Sequence, residues 1–221
     1  MNPNPAAARL ALLTGLAAVI CLDGAVILPF LLAFLSSSLM GFSGELPNWA
    51  EIVMFVLAIS ILAGGGALWG LSLDRLHALG LGPRLAGATA VGFAGPVLAL
   101  IFILGSLEPA AARILPLPIH RVFSVMFVPA AFLVTSLTGA AVGAALRDRA
   151  LTIRLAFAGG LAAAIAFLAV NLVLDSLGFR VGAPFAAERA TMLVTAFTGN
   201  AGAALAGGTL MGWILARRPN R

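Results

Sequence analysis

Residues 50–71, AEIVMFVLAISILAGGGALWGL, decide the fold. The single charge, Glu51, stands at the start, and none of the twenty residues after it is ionisable. A helix rises about 1.5 Å per residue, so such a run crosses a hydrocarbon core of about 30 Å. Comparable runs recur along the chain at 8–35, 85–107, 122–146, 151–174 and 190–216. The 221 residues therefore read as one integral membrane domain, an all-α polytopic bundle of six transmembrane helices. Composition agrees: 62% of the chain is hydrophobic and 10% charged, with a mean hydropathy of +1.10. Soluble domains carry roughly 25% charged residues, and a chain this poor in charge could not cover its own surface in water. The lipid bilayer is its expected solvent and first partner.

The inventory excludes several chemistries. All 13 basic residues are arginine, and there is neither lysine nor tyrosine, which removes retinal and other Schiff-base lysines. His77 and His120 both fall between apolar runs, so no pair of histidines can hold a haem at mid-membrane. Cys21 is the lone cysteine, which forbids an internal disulfide and a thiolate-clustered metal. No His-Glu-x-x-His and no Walker phosphate loop is present. Glu108, Arg113, His120 and Arg121 share one outer stretch without a nucleophile motif. We therefore expect no metal, no cofactor and no catalytic residue. The computed pI of about 11.5 does not imply nucleic acid, because the arginines form no basic stripe.

The arginines sort by side instead. Arg9, Arg75, Arg84, Arg147, Arg149, Arg154, Arg217, Arg218 and Arg221 fall on one face; Arg113, Arg121, Arg180 and Arg189 fall on the other, among most of the acids. The positive-inside bias places both termini in the cytoplasm. The alanine-rich, lysine-free composition points to a bacterial inner membrane. The first run, 8–35, is longer than a signal-peptide core and contains Asp23 and Pro29, so it is expected to remain a helix. The outer stretches 36–48 and 108–120 are apolar for loops and are expected to lie at the interface, with Trp49 at headgroup depth and with Pro116 and Pro118 barring a regular helix.

The second, fourth and sixth helices share a spacing. Gly66 and Gly70 precede Arg75, Gly139 and Gly143 precede Arg147, and Gly208 and Gly212 precede Arg217. Leu133-Val134-Thr135 and Thr138-Gly139 recur as Leu193-Val194-Thr195 and Thr198-Gly199, and Val-Met-Phe-Val stands at 53–56 and again at 125–128. These matches suggest a helical hairpin used three times, in parallel rather than inverted order. Glycines four apart allow close backbone approach, the main source of attraction between helices in lipid. The three even helices are expected to pack tightly at the arginine-rich end and diverge outward around a cavity, or else to offer their glycine faces to another subunit.

Asp23 lies fourteen residues past Arg9, on the order of 21 Å into the helix and near the midplane. An ionised carboxylate there costs on the order of 2.5–3.5 kcal/mol, and no arginine reaches that depth, so the neutral acid is favoured. Asn200, Thr138 and Thr198 are expected at the same depth, with Asn171 nearer the outer end. Together with Asp23 they form the candidate pocket for a proton, a cation or a small polar solute. Pro29 would free backbone carbonyls nearby. Three classes stay open: a transport-type protein binding a small solute or ion near Asp23 and Asn200, a non-catalytic subunit or homo-oligomer packing through glycine faces, and an intramembrane enzyme.

Overall fold

The computed structural model describes residues 5–39, 48–114, 119–177 and 185–218. These form α1 (Pro5–Ala18), α2 (Gly24–Leu39), α3 (Asn48–His77), α4 (Gly82–Ile114), α5 (Ile119–Ala145), α6 (Arg149–Ser176) and α7 (Phe185–Ala216). Between α1 and α2 the chain does not leave the helical path but widens into a π-helical turn, Val19–Asp23. α1, the turn and α2 make one rod, giving six rods in all. Five carry, among the described residues, a stretch long and apolar enough to cross a bilayer. The sixth, α7, spans 32 residues. The protein is a multi-pass helical membrane bundle.

The rods close into a ring. α3 packs on α4, α4 on α5, α5 on α6, α6 on α7, and α7 returns to α1, whose rod also meets α3. The first helix is thus an integral wall of the bundle. The glycine pairs explain the ring: α5 and α7 do meet, with Met211 beside Gly139 and Thr135 beside Gly207, but the closest backbone approach of each glycine pair is to a different partner. A Cβ at Gly66 would stand 2.7 Å from the Thr89 carbonyl of α4, one at Gly139 2.6 Å from the Leu155 carbonyl of α6, and one at Gly212 2.6 Å from Thr14 Cβ of α1. α3 therefore docks its glycines on α4, α5 on α6, and α7 completes the cycle on α1. The repeating unit in space is the pair α3–α4, α5–α6 or α7–α1.

The two described turns at the arginine-rich end are built alike. The Leu79 N–H reaches back to the Asp74 carbonyl at 3.1 Å, and the Asp148 N–H to that of Gly143 at 3.3 Å. Between them Ala78 and Arg147 take positive φ values of 47° and 54°, the left-handed position of a helix-ending motif that usually carries glycine. An ion pair of 3.9 Å joins Arg218 to Asp148, and the Arg217 guanidinium lies 4.0 Å over the Trp213 ring. These contacts gather the chain's C-terminal helix and the α5–α6 turn at the same end.

The core sits toward that end: Trp69, Leu73, Leu85, Val142, Leu155 and Met211 are all but fully buried. Farther along, α2 continues to Leu39 and α4 to Ile114, so parts of the expected outer loops are helical. Pro116, Pro118, Arg180 and Arg221 lie outside the described residues. Trp49, in the first turn of α3, is 69% exposed.

Candidate functional site

Asp23 closes the π-helical turn, where the Gly24 N–H bonds the Val19 carbonyl five residues back instead of four. Such a bulge inserts one extra residue into the helix and is frequent at functional sites. The turn touches both α3 and α7. On the α3 side, Gly65 leaves room for the Cys21 carbonyl and the Ala25 methyl, which flank Asp23. The Asp23 side chain is 6% exposed, and its Oδ1 has no hydrogen-bond partner among the described residues. Buried polar atoms in native proteins nearly always find partners, so this carboxyl oxygen is an exception to the rule. Two further buried atoms share the condition, Trp69 Nε1 and Ser136 Oγ. Trp69 is 1% exposed and belongs to the same cluster of buried side chains as Ala18, Leu22 and Ala25.

The other residues of the expected pocket are dispersed. Thr138 is buried between α4 and α5, where its hydroxyl lies 2.7 Å from the Val134 carbonyl of its own helix and 3.1 Å from the Gly92 carbonyl of α4. Asn171 donates to the Phe167 carbonyl at 2.8 Å and sits beside Gly199 at the α6–α7 contact. Thr198 is exposed and Asn200 half-buried on α7, the helix packed against the Asp23 turn.

The threonines of α1, α4 and α6 carry a role that the sequence reading passed over. Thr89 is fully buried and lies 2.7 Å from the Gly66 carbonyl of α3 and 2.8 Å from the Leu85 carbonyl of its own helix. Thr14, equally buried, donates to the Leu10 carbonyl at 2.9 Å and sits 3.0 Å from His77 Nε2. The hydroxyl thus links the Leu10 carbonyl of its own helix to the imidazole at the end of α3. Thr152 packs on Gly143 and donates to the Asp148 carbonyl at 2.8 Å. The signal was present: Arg9 and Thr14, Arg84 and Thr89, and Arg147 and Thr152 are each five residues apart, the first two pairs inside α1 and α4 and the third spanning the turn into α6.

Outward of Asp23 the rods part. A cavity of about 330 Å³ opens between α2, α3 and α4, bounded by Val26 and Pro29, by Ala58 and Leu62, and by Val97 and Ile101, and every residue that lines it is apolar. Its size is within the range of small-molecule sites. Among the described residues no group of three or more His, Cys, Asp or Glu could hold a metal ion. Comparison with known proteins finds no matching family model, no matching curated protein and no matching solved structure.

Proposed function

We propose that this protein binds and moves a small solute or ion across the membrane, with Asp23 as the central acidic group and Asn200 on the facing helix as its nearest polar companion in depth. The single observation that carries the reading is the Asp23 carboxyl on a π-helical turn, its Oδ1 buried without a hydrogen-bond partner among the described residues. An intramembrane acid is costly and is retained where it bonds a proton or a substrate. The glycine faces support transport over the accessory-subunit reading, because the chain's own helices fill them. Thr138, by contrast, acts as a tie between helices, its hydroxyl already engaged by carbonyls. In this reading α7 is the sixth span, the arginine-rich end faces the cytoplasm of a bacterial cell, and both termini lie there.

Proteoliposomes loaded with a pH-reporting dye test it. A pH gradient is imposed, and alkali cations, amines and small neutral solutes are added in turn. The wild-type chain is expected to dissipate the gradient with at least one class, and Asp23→Asn to abolish that response. An equal response from both chains removes Asp23 from the mechanism.

A further inference from the structure

We infer that the outer face of α6 binds an anionic phospholipid, its phosphate held by Arg147, Arg149 and Arg154 and one acyl chain laid along the apolar stripe that runs outward from Arg154. This goes beyond the transport reading and does not depend on Asp23.

α6 has two distinct faces. Leu155, Gly159, Ala163 and Phe167 recur every four residues and are buried where the helix packs on α5 and α7. Ile153 and Arg154, then Phe157, Leu161 and Ile165, are exposed, Ile153 and Phe157 at 60% and 63%. Residues three and four apart lie on one side of a helix, so the charge and the apolar stripe belong to a single surface. The stripe lies inside the span Arg149–Leu174, long and apolar enough to cross a bilayer. From Arg154 to Ile165 it runs about 16 Å, close to half of a hydrocarbon core of about 30 Å and so the reach of one acyl chain in one leaflet. The head group is met by three arginines within eight residues, all exposed. Asp148, the acid among them, accepts from the Leu151 N–H at 3.0 Å through Oδ1 and lies 3.9 Å from Arg218 through Oδ2, the only ion pair among the described residues. A guanidinium presents paired N–H donors that match phosphate oxygens. Arg154 stands about 7.5 Å deeper than Arg149 along the axis, and its long stem can lie on the stripe while its charge rises to the head-group layer. A soluble acidic protein would leave the stripe uncovered. A second copy suits the face no better, because two copies of one membrane orientation related by a twofold axis bring Arg154 against Arg154.

The test titrates the full chain, in mild detergent, with dioleoyl phosphatidylglycerol, dioleoyl phosphatidylcholine and glycerol 3-phosphate, and counts bound molecules by native mass spectrometry. Phosphatidylglycerol should bind saturably and more tightly than phosphatidylcholine, and glycerol 3-phosphate should not displace it. Each arginine near an anionic head group is worth about fivefold in affinity, so Arg149→Gln with Arg154→Gln should weaken phosphatidylglycerol about thirtyfold and leave phosphatidylcholine unchanged. The charge-matched pair Arg75→Gln with Arg84→Gln, on α3 and α4, should change little. Arg149→Lys with Arg154→Lys keeps the charge and should keep most of the preference. Phe157→Ala with Leu161→Ala should weaken both lipids alike and preserve their ratio. Equal affinity for the two lipids, or equal losses from the two glutamine pairs, would mean diffuse attraction without a site and overturns the inference. Displacement by glycerol 3-phosphate would mean a site for a soluble anion and overturns it as well. So does a disulfide formed in nanodiscs between two copies carrying Phe157→Cys and Cys21→Ala, which would place a second copy on the face.

Discussion

A methyl group placed on a glycine that bridges two helices measures how tightly the ring is closed. In Gly66→Ala, Gly139→Ala and Gly212→Ala, one for each seam, the new Cβ meets atoms of the next helix's backbone: Thr89 O at 2.7 Å and Ala90 Cα at 2.8 Å, Leu155 O at 2.6 Å, and Ala11 Cα at 3.0 Å. Backbone cannot rotate aside as a side chain can. Since carbon atoms rest at about 3.5–4.0 Å, each seam must open by roughly 1 Å. Overpacking of that kind costs about 1–3 kcal/mol. Gly87→Ala is the control, for nothing stands within 4 Å of its added Cβ. All four variants gain the same helix preference, about 0.5–1 kcal/mol in favour of alanine, so the difference between seam and control is the overpacking cost alone. Unfolding in mixed micelles of mild and denaturing detergent, followed by tryptophan emission, reads that difference. The control should be slightly more stable than the wild type and each seam variant about 1–3 kcal/mol less stable than the control. If all four move together, the glycine pairs are not the contacts that close the ring. If Gly212→Ala alone is silent, the first helix is not held by α7.

Other outcomes follow from the same geometry. Asp23→Leu removes an orphaned polar atom from the core, so it should raise stability by about 1–3 kcal/mol while abolishing flux; a loss of stability in the same micelle assay would mean that the acid ties helices together. Thr89→Val keeps the shape and removes the bond across α3 and α4, and should cost about 0.5–1.5 kcal/mol. Thr14→Val removes the Thr14–His77 hydrogen bond, which NMR of the imidazole nitrogens would report as a changed Nε2 shift. Single cysteines at Arg84 and Arg149 in a Cys21→Ala chain should be labelled by an impermeant reagent from one side of the membrane, and one at Trp49 from the other.

The rods themselves were legible because a span is a matter of length and apolarity alone. Residues 50–71 fall inside α3, and each expected segment follows one rod, with 122–146 overrunning α5 by a single residue. Which face of a rod looks inward was not legible. In lipid the outer face is as apolar as the core: Leu68 is 58% exposed and Leu73 fully buried on the same helix, and Ile20 and Val91 are each 75% exposed. Hydrophobic periodicity, which separates the two faces in water, therefore has no contrast to report. Glycine spacing survived as a signal because close approach depends on size, not polarity. It gave the contact positions but not the partners: Gly208 and Gly212 meet α1 nearly two hundred residues away, a closure no local pattern encodes. The depth of Asp23 could be counted from Arg9, whereas the π-helical turn beneath it depends on packing against α3 and α7. Thr138 was grouped with Asp23 by depth alone, and depth does not say which neighbour a side chain faces.

Carbodiimide labelling of Asp23, read by mass spectrometry of the peptide that carries it, tests the central claim most directly. A carboxyl buried in apolar surroundings should react with a membrane-soluble carbodiimide and resist a water-soluble one. Rapid modification by the water-soluble reagent, or no modification by either, would contradict a buried acid with an unpartnered oxygen at the heart of the bundle.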